Sequence, residues 1–185
     1  MNFAEQYKTQ LQQTIEMIDM GKVQQAIDAF AEARSAGRHI FVCGNGGSAS
    51  SSSHFVCDMV KGASFNRAER FKIMALTDQM PTITAYANDV SYDSVFVEQL
   101  RNFAQPGDLF VGISGSGNSP NVLRAIEYAN SIGCKTIALT GRDGGQLGPM
   151  AQLNIHVGVP HMGRIEDAHM IVCHMICYYF METKN

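Results

Sequence analysis

Four side chains able to move a proton or hold a divalent cation fall in two stretches of helical character. His54 and Asp58 are four residues apart and so share one helix face. Glu166 and His174 are two turns apart and roughly aligned, with Asp167 and His169 on neighbouring faces. If the two helices meet, two imidazoles and two carboxylates converge. Such a set suits a divalent metal such as zinc, or a general base and acid working at a carbonyl, and spacing does not choose between them. His39, His156 and His161 have no visible partner and receive no role.

A second kind of chemistry sits in two small-residue loops. Gly44-Asn45-Gly46-Gly47-Ser48-Ala49-Ser50 follows one apolar run and precedes a helical segment ending near Lys61. Ser114-Gly115-Ser116-Gly117-Asn118-Ser119-Pro120-Asn121 follows another and precedes a helix beginning near Val122, with Pro120 suited to a first helical turn. Glycines allow close backbone approach, and a helix start aims unpaired N–H groups at an anion. One such loop can be a tight turn and a cap and nothing more. Two in one chain, both rich in serine, point to a phosphate held without lysine. Neither loop carries the Gly-Lys-Ser/Thr of a nucleotide-binding P-loop or the spacing of a dinucleotide fingerprint.

The elements that must position these residues are legible as short β-branched runs: HIFVCG (39–44), KIMALT (72–77), LFVGIS (109–114), KTIALT (135–140) and NIHVGV (154–159). Each is separated from the next by a loop and helix-like stretch, which predicts a five-stranded parallel sheet in a doubly wound, flavodoxin-like α/β fold. Ligands of such folds sit outside the carboxyl ends of the strands, where both loops fall. Apolar spacing predicts two N-terminal helices over 1–36, joined at Gly21, and a helix from about Arg164 to Glu182 closing an α/β core of 37–185, the whole forming one domain. Asn88 and Asp89 fall in a loop-like position after the helical run TITAYA, where they would contact hydroxyls or cap the next helix. Helical termini this apolar exceed what the sheet needs and imply a homo-oligomer.

Composition narrows the class. At 185 residues and 45% hydrophobic, the chain can bury roughly 70% of its unfolded surface in one core. A net charge of -3 with scattered Lys and Arg offers no field for nucleic acid. The start has no signal-peptide pattern, and no run approaches the ~20 apolar residues of a membrane span, so a cytoplasmic location is expected. Five cysteines in apolar segments read as reduced and buried, and the Cys173/Cys177 pair as packed hydrophobes rather than metal ligands.

Taken together, CGNGGSASSSSHFVCD, AYAND, GISGSGNSPNV and RIEDAHMIVCH resemble, in order and spacing, the segments of the sugar isomerase (SIS) family and, within it, the phosphoheptose isomerases. The resemblance runs over essentially the whole chain. It implies an aldose-ketose isomerase acting on sedoheptulose 7-phosphate for the heptose of lipopolysaccharide, with zinc and a homotetramer. It also implies substrate contacts from Asn45, Gly46, Gly47, Ser48, Asp58, Asn88, Asp89, Ser114, Gly115, Ser116, Ser119 and Glu166. Metal ligands would be His54, Asp58, Glu166 and His174, with Asp58 as base and His174 as acid. Two positions depart from the family, which usually has Glu where Asp58 stands and Gln where Glu166 stands. These changes keep open an isomerase of another ketose phosphate, and a non-catalytic SIS protein that binds sugar phosphates or partners remains the reading from another class.

Overall fold

Five strands form one parallel sheet in a computed structural model that describes residues 2–183. They are β1 (His39–Gly44), β2 (Lys72–Ala75), β3 (Leu109–Ser114), β4 (Lys135–Gly141) and β5 (Leu153–Val157), ordered β2-β1-β3-β4-β5. This is the doubly wound order, and its direction reverses between β1 and β3. Cys43 lies opposite Gly112 and Gly44 opposite Ile113, so the two strands end side by side and open both small-residue loops at one place.

Period-two alternation sends side chains to two apolar layers. Ile40, Val42, Leu109, Val111, Ile113, Ile137 and Leu139 face one layer. It is completed by α2 (Met20–Ser35), α3 (Gly47–Cys57) and α8 (Met162–Glu182). Phe41, Cys43, Phe110 and Ala138 face the other, with α5 (Val97–Phe103), α6 (Pro120–Ser131) and α7 (Leu147–Met150). The helices that follow β1 and β3 thus lie on opposite faces, and the crevice between their N-termini is the switch point.

Several boundaries differ from the sequence expectation. The first two helices part not at Gly21 but before it, because the Asp19 side chain accepts a hydrogen bond from the Lys22 N–H and starts α2; α1 (Phe3–Glu16) ends earlier. Asn88 and Asp89 are not in a loop. They are the last two residues of α4 (Met80–Asp89), and the Asn88 amide donates to Asp89 Oδ1 at 2.7 Å. Cys57 is exposed rather than buried, whereas Cys43, Cys134, Cys173 and Cys177 are buried, and all five are free thiols. The last helix begins at Met162, where the His161 ring accepts from the Arg164 N–H as its cap.

Candidate functional site

At the carboxyl end of β3, the side chains of Ser114, Ser116 and Ser119 turn toward one another, with Ser114 Oγ 3.4 Å from Ser116 Oγ and 3.1 Å from Ser119 Oγ. Ser119 stands at the N-cap of α6 yet makes no capping bond, so its hydroxyl is spent on the cluster instead. Gly117 makes this bend possible: its φ is +65°, and an added Cβ would overlap the Gly144 carbonyl. Three hydroxyls beside a helix N-terminus form a neutral cradle for an anion.

The loop after β1 completes the other wall. Gly46, at φ +54°, is the N-cap of α3, and a side chain there would project into open space. Asn45 and Asn121 exchange two amide hydrogen bonds of 2.8 and 2.9 Å, and the Tyr92 hydroxyl also donates to Asn45 Oδ1 at 2.9 Å. Asn121 is 1% exposed. It ties the two loops across the switch point, a role that the sequence left undescribed although Asn121 lies in the serine loop; the available signal was an amide directly after Pro120, in the first turn of the helix.

The titratable cluster lies further down the α3 and α8 pair. Asp58 Oδ2 is 3.4 Å from His54 Nε2 and 3.7 Å from His174 Nε2, and the two imidazoles meet edge to face at 5.2 Å. One ligand atom from each of the three residues lies within 4.8 Å of the others. Asp58 opens a π-helical turn (Asp58–Gly62) in which its carbonyl accepts from the Ala63 N–H at 3.0 Å. Such turns insert a residue into an α-helix and re-aim the side chains around it. The Asp58 carboxylate reaches His54 as its i,i+4 neighbour and His174 across the packing of α8 on α3.

Two imidazoles and one carboxylate match the ligand set of a catalytic zinc site, which keeps further positions open. The sulfurs behind them do not join it. Neither Sγ belongs to the group of ligand atoms formed by His54, Asp58 and His174, and burial pushes the Cys173 and Cys177 thiols up to about 12.

Glu166 is not drawn into this trio. Its side chain lies over the start of α3, where a Cβ on Gly47 would fall 2.5 Å from Glu166 Oε1. Eight residues of helix put it about 12 Å along the axis from His174, so it borders the first loop instead. There the positive end of α3 favours its charge. The Asn88 and Asp89 side chains hydrogen-bond neither loop among the described residues.

Two other polar residues of α8, Asp167 and His169, have structural work. The Tyr7 hydroxyl donates to Asp167 Oδ2 at 2.6 Å and pins α1 to α8. His169 is buried, with Nε2 3.1 Å from the Thr140 carbonyl, and burial holds its pKa down to about 4.

Comparison with known proteins adds an independent line. The SIS domain model matches residues 2–141. A probable phosphoheptose isomerase of Thermoplasma acidophilum is 43% identical over 160 residues, covering 86% of this chain and 87% of that protein. The phosphoheptose isomerase of Akkermansia muciniphila is 39% identical over 85% of this chain and 82% of its own. Among solved structures, phosphoheptose isomerase GmhA from Neisseria gonorrhoeae superposes with a TM-score of 0.87 at 34% identity, covering 98% of this chain and 95% of that one.

Proposed function

The chain belongs to the SIS domain family, in its phosphoheptose isomerase branch, and we propose that it interconverts sedoheptulose 7-phosphate and D-glycero-D-manno-heptose 7-phosphate. The observation that carries this reading is the presence in one fold of an anion cradle at the switch point and, further along the α3 and α8 pair, a carboxylate held between two imidazoles. The serine loop takes the phosphate through hydroxyls and N–H groups. Asn45, Gly46, Gly47, Ser48 and Glu166 face the sugar, with Asn88 and Asp89 assigned to its hydroxyls.

The isomerisation moves hydrogen between adjacent carbons. Asp58 takes the proton from C1 of the ketose while His174 gives one to the C2 oxygen, leaving an enediol. The carboxylic acid then returns its proton to C2, and the C1 hydroxyl gives its proton back to His174 as the aldehyde forms. No atom is gained or lost. A general base and acid so placed contribute roughly 10²–10⁴-fold each.

His54, Asp58 and His174 would hold a zinc ion, which when bound would supply positive charge that favours enediolate-like charge in the substrate. Glu166 becomes a fourth ligand only if its carboxylate turns down from Gly47. A cytoplasmic homotetramer supplying heptose for lipopolysaccharide is part of this reading, with the apolar terminal helices as the surfaces that would pair; among the described residues no helix is long and apolar enough to cross a membrane.

The test is conversion of sedoheptulose 7-phosphate by the purified protein with and without added zinc, beside fructose 6-phosphate. Conversion of the heptose, stimulated by zinc, is expected. Preference for the hexose would move the substrate assignment, and tight phosphosugar binding with no conversion of either would favour a binding protein.

A further inference from the structure

The cradle described above is electrically neutral, whereas the phosphate it is proposed to take carries close to two negative charges. Neither loop contains a lysine or arginine. A cation does stand beside it, on the turn that leaves the neighbouring strand. Arg142 follows β4 in the four-residue turn Gly141-Arg142-Asp143-Gly144, closed by the Gly144 N–H donating to the Gly141 carbonyl at 2.8 Å. Its φ is +53°, at a turn position that favours glycine.

Three features make this more than an idle surface arginine. First, the segment directly after the turn is bolted to the serine loop: the Leu147 N–H donates to the Gly117 carbonyl at 2.9 Å, and the Gln146 N–H to Asn118 Oδ1 at 3.1 Å. Secondly, Arg142 shares a cavity of about 580 Å³ with Ser116 and Asn118, closed on a third side by Gly158, Val159 and Pro160. Thirdly, Arg142 makes no hydrogen bond or ion pair among the described residues. The adjacent Asp143, which lines the same cavity, has one carboxylate oxygen engaged by the Gly145 N–H at 3.1 Å. A charged side chain on a strained backbone, tied to the anion loop and left without a partner, is poised for a ligand.

Resting on the phosphosugar reading above, we infer that Arg142 is the cationic arm of the phosphate site: its guanidinium, reaching across the cavity shared with Ser116, binds the substrate's phosphate and selects phosphorylated over free sugars. The guanidinium fork matches two phosphate oxygens at once, which a serine hydroxyl cannot do. Arg142 therefore contributes to affinity and to substrate choice and takes no part in the proton transfer at carbon.

The experiment compares the full-length protein with Arg142→Gly and Arg142→Lys by calorimetric titration with sedoheptulose 7-phosphate and with unphosphorylated sedoheptulose. Thermal unfolding and steady-state kinetics run alongside. Arg142→Gly relieves the left-handed backbone, so its melting temperature should stay level or rise while the phosphosugar Kd and KM weaken about tenfold and kcat falls far less. Arg142→Lys should recover part of the affinity, and the free sugar should not discriminate among the three proteins. Unchanged phosphosugar affinity in Arg142→Gly would overturn this inference even if the enzyme turns over. Arginine-dependent binding without turnover would instead sink the isomerase reading and leave this one standing.

Discussion

The loops at the switch point and the cluster on the α3 and α8 faces build function in opposite ways. In the loops, the proposed recognition draws on backbone and on three hydroxyls contributed by one stretch of six residues. Glycine geometry and the reciprocal Asn45–Asn121 amides hold them in place. In the cluster, the proposed reactivity rests on side chains of which His174 joins His54 and Asp58 only because α8 packs beside α3. A site assembled locally is robust to small shifts of its helices, whereas one assembled between helices loses its chemistry with a displacement of about 1 Å. Binding and turnover should therefore separate when the two regions are altered one at a time.

The sharpest separation is expected on the helix side. His174→Ala should lower kcat by about 10³-fold while the Kd for sedoheptulose 7-phosphate stays within a few-fold of wild type. Equal losses in both would mean the two regions are one unit.

Gly117→Ala attacks the loop instead. With φ at +65° and the Gly144 carbonyl in the way, denaturant unfolding should show a loss of about 3 kcal/mol, accompanied by weaker phosphosugar binding. A stable variant would mean that the turn can relax and that its geometry is not what holds the serines.

A pH dependence should follow from His169, a buried residue of α8 that meets the Thr140 carbonyl of β4 and belongs to neither the loops nor the cluster. Its folded pKa is about 4 against 6.5 for the free side chain, so from pH 6.5 downward the unfolded chain takes up a proton that the folded one refuses. Stability is full above pH 6.5 and falls until about pH 4; at pH 5 the loss is about 2 kcal/mol. His169→Gln keeps a donor near Thr140 but cannot titrate. The difference between its urea stability at pH 8 and pH 5 should be smaller than wild type by that amount.

The smallest effect is expected at the tie between loops. Asn121→Ala strips Asn45 of two bonds but leaves it the Tyr92 hydroxyl, so about 1 kcal/mol of stability should go. A larger loss of phosphosugar affinity than of stability would show that the tie positions the two walls.

The same contrast explains what could be read from the chain. The strands and the two loops were legible because β-branched runs ending in glycine and serine carry their structure within a few residues. That His54, Asp58 and His174 converge was readable only as a condition on two helices meeting, and the resemblance to phosphoheptose isomerases supplied what spacing could not. The distance between Glu166 and that trio escaped, since a helix wheel records angle but not the rise of two turns along the axis. The start of α2 was misread at Gly21 because the Asp19 cap outweighs the glycine, which the first turn of a helix tolerates. Asn88 and Asp89 were misplaced because both are common beyond helix ends, and here the helix runs two residues past the TITAYA stretch to include them.

The most direct measurement of the account is steady-state turnover of sedoheptulose 7-phosphate by Asp58→Asn, with its substrate Kd determined on the same preparation. The variant removes the carboxylate held between His54 and His174 and nothing from the serine loop. The account predicts substrate bound within a few-fold of wild type and kcat reduced by about 10³-fold or more. Retention of wild-type turnover would contradict it and take the base away from the α3 and α8 cluster.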